Sequence, residues 1–432
     1  MILNRFSTVC VLLTLIGAHS QNAYAQDISI ASDGEATPTA SLSHETKESP
    51  TISNQRKVEQ YQAAIAQIEL QQGVYSNQLT QELLNLGVTY QRSNKHELAI
   101  ETFNRALHLN RITEGLYSTS QIPILDNLIA SLKALKKWEM VDSQLAYQYW
   151  LHSMNFASDS AQMINVNLKA AYWALKAYSL QLGSSPNDHL VNSVKLFKQS
   201  ADLIGNEFGT SNNQVIEPLN GLLLANYLIA TAKIKPESIS YERSQHQGEL
   251  IEVKDISYFN KLKMRSYPNG LKIINRQIEI LDTQSTKNHP AMVNAMLKLA
   301  DWKLMYGKKQ SAFATYKAVY QYIQDHDANN LFYQQLFAKP VALPNFKLLT
   351  HNTSEELTDQ AIASNRKYVK ASFNVNQLGQ VKNIQVLKTH PEENQAMSGR
   401  IVRFLRNSTF RPQLKDGQPI VTEQTKLHFF ID

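Results

Sequence analysis

Twelve histidines are the residues of this 432-residue chain best able to do metal chemistry, and their spacing argues against it. His96-Glu97 could open an H-E-x-x-H zinc motif, in which two histidines one helical turn apart share a face, but Ile100 stands where the second histidine belongs. His390 and His428 stand apart, one read in a turn and one in a strand. Gly183-Ser184-Ser185-Pro186 has the small residues of a nucleophile elbow without the strand and helix that would aim its serine. No G-x-x-x-x-G-K-[ST] loop is present to cradle a phosphate. Glu355-Glu356 and Glu392-Glu393 are adjacent carboxylates, but neighbours in sequence point apart, and such pairs suit the start of a helix. The single cysteine, Cys10, lies in an apolar N-terminal run, so a mature chain lacking that run has no thiol or disulfide chemistry. No catalytic residue, cofactor or metal site is assigned. The expectation is a protein that is not an enzyme.

Charge is the chemistry that remains. Residues 361–432 hold eleven Lys or Arg and five Asp or Glu, a difference of +6, which equals the formal charge of the whole chain. Arg400, Arg403 and Arg406 fall on the polar side of a helix whose apolar side carries Met397, Ile401, Phe404 and Leu405. With Arg411 they would favour an acidic partner. The alternative reading is that they keep a small domain soluble.

The elements that position this charge are legible. Val369, Ala371, Phe373 and Val375 alternate with Lys370, Ser372, Asn374 and Asn376, the period of a half-buried strand. Asn376-Gln377-Leu378-Gly379 reads as a turn and residues 381–388 as a second strand. The arginine-bearing helix follows. Beyond Phe410-Arg411-Pro412 and a turn at Asp416-Gly417, Thr425, Leu427, Phe429 and Ile431 alternate again. The order is two strands, a helix and a strand.

This segment resembles the C-terminal domain of TonB, the periplasmic energy-transducing protein. The resemblance rests on the first strand, on Gly379-Gln380-Val381 opening the second, and on Phe410-Arg411-Pro412 with Asp416-Gly417-Gln418-Pro419-Ile420 before the last apolar strand. It covers about a sixth of the chain. It implies a small antiparallel sheet with one helix, whose last strand, residues 422–431, is an edge that grips a segment of an envelope protein by strand addition. Thr425, Leu427 and Phe429 become partner-binding candidates beside Arg400, Arg403, Arg406 and Arg411. Tyr368-Val369 replaces the family's usual Tyr-Pro step, and Leu15 precedes His19 where the family's membrane helix has a serine.

At the other end, Asn4 and Arg5 precede the apolar run 9–18 and Ala23-Tyr24-Ala25, the pattern of a signal peptide cleaved before Gln26. A run of this length falls short of the about 20 residues a spanning helix needs. With the resemblance, this implies a periplasmic protein of a Gram-negative bacterium, where nucleic acid is not a partner. The partners expected are envelope or outer-membrane proteins or peptides, with membrane association only through them or through an uncleaved N-terminus. In that second case the chain would be an energy transducer or accessory factor for receptor uptake.

Between the ends the chain repeats itself. Gly73-Val74-Tyr75-Ser76 recurs 42 residues later as Gly115-Leu116-Tyr117-Ser118. Leu83, Leu86, Gly87, Tyr90, Ala99, Phe103 and Ala106 stand at the spacing of a tetratricopeptide repeat (TPR), with small residues where paired helices touch. Met296, Leu299, Ala300, Gly307, Ala312, Tyr316 and Val319 form a second such unit, and His289-Pro290 and Ser211-Asn212-Asn213 resemble further loops of a roughly 42-residue variety. The stretch 237–257 is more polar and could interrupt the stack. The resemblance implies helix pairs with a groove for a peptide or helix. Asn85, Thr89 and Arg92, on the first helix of the best unit, are its groove candidates. Tyr147, Tyr149, Trp150, Tyr172 and Trp173 are read as packing between helices.

The expected fold is mainly α: a signal peptide (1–25), a linker (26–54), a TPR-type helical-hairpin superhelix (55–337), a linker (338–364) broken by Pro340 and Pro344, and a small α+β domain of ββαβ order with an antiparallel sheet (365–432).

Overall fold

The computed structural model describes residues 50–232, 254–284, 288–327, 336–344, 367–392 and 394–430. The signal peptide, most of the first linker and the polar run 353–359 lie outside them. The described residues divide into two compact units, one of residues 50–170 with 180–184 and one of residues 171–179 with 185–430.

In the first unit, helices α1 (Pro50–Gln72), α2 (Gln78–Arg92), α3 (His96–Thr113), α4 (Ile122–Ala134) and α5 (Trp138–Asn155) pack each on the next. Helix α1 starts at Pro50, inside the expected linker, as proline at a first helical turn allows. The repeated loops share one conformation. Gly73, Gly115 and, in the second unit, Gly209 have φ of 85°, 98° and 92°. Each carbonyl accepts the N–H three residues on, from Ser76, Ser118 and Asn212, at 3.2, 3.2 and 3.1 Å. No atom lies where a Cβ would go, so backbone freedom rather than space selects glycine here.

Helix α6 (Gln162–Leu180) contributes to both units. The second unit continues with α7 (Pro186–Phe208), α8 (Ile216–Thr231), α9 (Lys254–Met264), α10 (Ser266–Asp282), α11 (His289–Met305) and α12 (Lys309–Asp327). Helix α7 packs on α8, α8 on α10, α10 on α11 and α11 on α12, with α9 beside α8 and α10. The polar stretch therefore resumes as helix from Lys254.

One packing device recurs at helix contacts. A Cβ on Gly87 would sit within 2.4 Å of the Phe103 ring, one on Gly221 within 2.2 Å of Phe197, and one on Gly270 within 2.1 Å of Trp302. Phe103, Phe197 and Trp302 are wholly buried. Ring on bare backbone is how these helices approach closely, and only the first of the three pairs is expected from repeat spacing.

The C-terminal sheet has β2 (Tyr368–Val375) at its centre, flanked antiparallel by β3 (Val381–His390) and β7 (Thr422–Phe430). Val369, Ala371, Phe373 and Val375 are fully buried against Met397, Ile401 and Leu405 of α13 (Gln395–Asn407), as their alternation requires. Arg400, Arg403 and Arg406 are exposed.

The segment before the sheet departs from expectation. Val341–Leu343, expected in a linker, forms strand β1 and pairs antiparallel with β4 (Thr409–Arg411). Strands β5 (Leu414–Lys415) and β6 (Gln418–Pro419) form the short hairpin around Asp416-Gly417, both residues at positive φ. Leu343 and Leu414 enter the same core as Leu297, Leu304, Tyr316 and Ile323 of the last helix pair. The C-terminal module is thus packed into the final hairpin through shared apolar residues.

Gly379, in the turn between β2 and β3, has φ +74°, and an added Cβ would lie 2.1 Å from the Phe410 carbonyl oxygen. That strand cannot retreat, because the Phe410 N–H donates to the Gly379 carbonyl at 2.8 Å. Gly379→Ala is expected to lower stability by about 2–3 kcal/mol, measured by thermal denaturation.

Candidate protein-interaction surfaces

The outer side of β7 is an edge of the sheet: its only strand neighbour among the described residues is β2. Register with β2 is unbroken from Thr425, opposite Phe373, to Phe430, opposite Tyr368. A shift falls before that run, where Gln424 has φ 51° and its N–H bonds the Asn374 side chain at 3.0 Å. The opposite edge, β3, is interrupted by two shifts against β2, and Asn383 has φ 50°. Bulges twist an edge and blunt further pairing. The regular rim is β7.

The three candidate residues on that strand, two apart along an unbroken stretch, share one face, and it is the face turned to the helix. Phe429 is buried in the core, touching Phe404 edge-on at a ring-centre distance of 6.1 Å, and Leu427 packs on the same cluster. The Phe429 side chain holds the sheet to its helix and is withdrawn as a contact residue. Thr425 and Leu427 are half-buried. What β7 offers outward is backbone, together with the exposed Glu423 and Lys426.

Helix α13 packs on β3 and β2, so its arginine row lies toward the side of the sheet away from the free rim. Arg403 also bonds the Gly399 carbonyl through Nε at 3.2 Å.

Arg411, expected to face an acidic partner, is buried instead. It is 3% exposed, and its guanidinium grips Asp301 of α11, Nε to Oδ1 at 2.9 Å and Nη2 to Oδ2 at 2.6 Å. The Tyr316 hydroxyl donates to the same Oδ1 at 2.5 Å. Burial alone would make Arg411 easier to deprotonate. The Asp301 carboxylate outweighs burial and holds the guanidinium above its ordinary value. Burial, then Asp301, pushes the Tyr316 phenol well up. Arg411 has found its acidic partner within its own chain, because the β4 strand carries it into the last helix pair.

In the first unit, Asn85 is half-buried and Arg92 exposed, but Thr89 is buried and donates to the Asn85 carbonyl at 2.9 Å. Thr89 is therefore withdrawn as a groove contact. Two of the aromatic residues contact a neighbouring helix as expected: Tyr149 donates to Asn167 Oδ1 of α6 at 3.1 Å and Tyr172 meets Phe197 of α7 edge-on at 5.0 Å, whereas Tyr147 stacks on Trp150 of its own helix at 5.5 Å and donates to Gln121 Oε1 at 2.7 Å. His390 ends strand β3 rather than lying in a turn. It stacks on Tyr368, which His428 meets from the other side, so neither histidine stands alone.

Sequence reasoning missed Lys298. This α11 lysine is 6% exposed, with Nζ 2.7 Å from Asn220 Oδ1 of α8, which also accepts from Gln277 Nε2 of α10 at 3.1 Å. Burial pushes its ammonium down to about 8. No local signal marks it, since a lysine on a helix reads as solvated.

Among the described residues no group of three or more His, Cys, Asp or Glu is arranged to hold a metal ion, and no helix is long and apolar enough to cross a membrane. No protein-family model matches the chain, and no curated protein does. Among solved structures, it is similar to nearly identical TPR-like repeats described as a kinesin light chain of Podosopora anserina, at 12% identity and a TM-score of 0.37 over 58% of this chain and 99% of that one. A point variant of those repeats gives 12% and 0.36 over 58% and 96%. BtubC (BKLC) from P. vanneervenii gives 10% and 0.35 over 65% and 92%. The assignment of TPR-like helix pairs rests on the helix packing and loop geometry described above.

Proposed function

We propose that this protein is a non-enzymatic adaptor of the Gram-negative cell envelope, exported to the periplasm. Its helical repeats hold one protein partner. Its C-terminal module, similar to the TonB C-terminal domain in the order of its elements, takes an extended segment of an envelope or outer-membrane transport component on the rim of β7. The observation that carries this reading is the regular outer side of residues 425–430, which no strand among the described residues pairs. An open rim of this kind adds a strand through backbone hydrogen bonds, and affinity then depends little on the side chains that face the core. Stacked helix pairs as a class supply extended protein-binding surfaces, which supports the first half of the proposal. The exposed Arg400, Arg403 and Arg406 lie away from this rim, so they favour acidic groups in a part of the partner beyond the added strand. The alternative, an energy transducer with an uncleaved anchor, turns on residues 1–25, outside the described residues. The mass of the native protein separates the two.

The test is photocrosslinking in cells from Glu423 and Lys426 of β7, with Leu387 of β3 as control; all three are exposed. The β7 positions are expected to capture one identified envelope protein, at several times the yield from Leu387. Equal capture from both edges, or none from β7, rejects strand addition at this rim.

A further inference from the structure

Two histidines far apart in sequence meet at the end of the last helix pair. His289 opens α11, and its Nδ1 lies 2.8 Å from the Tyr322 hydroxyl oxygen on α12. His326, one turn beyond Tyr322, has its Nδ1 2.8 Å from the Tyr322 carbonyl oxygen. The two imidazole centres are 4.7 Å apart, and His326 lies almost flat on the Tyr322 ring at 4.2 Å. His326 is exposed and His289 half-exposed.

The hydrogen bonds decide which nitrogens remain for a ligand. A carbonyl oxygen only accepts, so His326 Nδ1 carries the hydrogen, and in the neutral ring Nε2 keeps its lone pair. His289 Nδ1 can donate to the Tyr322 hydroxyl in the same way, and its Nε2 then keeps a lone pair too. Metal-binding histidines are typically fixed like this, with the second ring nitrogen donating to an oxygen that sets tautomer and orientation. A zinc–imidazole bond is about 2.0–2.1 Å, so two nitrogens on one ion lie within about 4 Å of each other, a separation that ring centres 4.7 Å apart permit.

We propose that His289 and His326 form a two-imidazole site for a borderline divalent transition metal such as Zn²⁺ or Cu²⁺, with Tyr322 as the outer residue that orients both rings. The donor set selects the ion class. Nitrogen-only ligands suit Zn, Cu and Ni, whereas Mg and Ca require oxygen donors. With two protein ligands, the remaining coordination positions are left to water or to a partner's side chain.

The experiment is titration of the full chain with Zn²⁺ followed by calorimetry, and with Cu²⁺ followed by electron paramagnetic resonance. His289→Ala and His326→Ala are each expected to remove the same one equivalent of ion, and the Cu²⁺ spectrum to lose a two-nitrogen signature. Tyr322→Phe, which keeps the carbonyl contact to His326 but removes the hydroxyl, is expected to weaken that equivalent about tenfold. His108→Ala, at an exposed position on α3, is expected to change nothing. Unchanged helical circular dichroism shows that the variants are folded. If either His289 or His326 can be removed with the wild-type stoichiometry retained, the paired site is wrong. If only one of the two removals has an effect, it is likewise wrong.

Discussion

Asp301→Ala is expected to destabilise the second unit by about 3–5 kcal/mol, the cost of leaving one partner of a buried ion pair uncompensated. The residue left behind would be Arg411, 3% exposed, with a guanidinium that makes two bonds to Asp301 and no other ion pair among the described residues. Its Nη1 already has no hydrogen-bond partner among the described residues, and only the neutral Tyr316 hydroxyl stands beside the guanidinium to replace the carboxylate. Arg411→Met is expected to cost a comparable amount by stranding the carboxylate, which would keep only the Tyr316 hydroxyl. The double variant Asp301→Leu with Arg411→Met removes both charges and is expected to recover most of the loss, because charge burial rather than the pair's net attraction sets the penalty. The contrast is the exposed pair of Lys137 and Glu97 at 2.7 Å, where Glu97→Ala is expected to cost no more than about 1 kcal/mol. Urea denaturation of the four variants measures all of this. A loss under about 1 kcal/mol for Asp301→Ala would mean that Arg411 reaches water once released, and that the C-terminal module is not held in the last helix pair by this contact.

Lys298→Met is expected to stabilise the protein at pH 7 by on the order of 3 kcal/mol, the cost of holding a lysine whose ammonium burial has pushed down from 10.5 to about 8. The direction with pH follows from proton counts. Below about 8 the lysine is charged in both states, and the folded state bears the whole desolvation cost. Between about 8 and 10.5 the folded protein has released a proton that the unfolded chain still binds, so stability rises with pH. Above 10.5 no further gain accrues. Buried tyrosines work against this at the alkaline end: Tyr227, pushed up to about 12 by burial, ionises first in the unfolded chain. The quantity to measure is therefore the difference between wild type and Lys298→Met across pH 6.5 to 10. That difference is expected to shrink steadily above pH 8. A difference flat with pH would show that the ammonium is solvated or balanced by an anion.

Much of this molecule could be read without coordinates because its signals are local. The alternation of Val369, Ala371, Phe373 and Val375 reports which face of a strand is apolar, and all four are buried. The spacing of Gly87 and Phe103 reports a helix pair, and the ring does lie on the bare backbone. The matching tetrads at Gly73 and Gly115 report a turn, and the two share φ and hydrogen bond. In each case the residues involved lie within one element or one hairpin, so periodicity or turn chemistry suffices.

The remaining features depend on which elements meet. Arg411 reads as a surface cation because a proline and an exposed turn surround it, yet β1 pairs with β4 and carries it onto Asp301, 110 residues away. Gly270 and Trp302 form the same device as Gly87 and Phe103 without any repeat spacing to announce it. Thr89 sits on a helix face whose exposure only the neighbouring helices decide. Lys298, and the meeting of His289 with His326, are likewise products of packing. Residue type and period determined the faces of the strands and helices and the course of the turns. The tertiary structure decided which charges are buried, which edge of the sheet is left open and which polar groups converge, because these depend on contacts between segments whose sequences carry no record of one another.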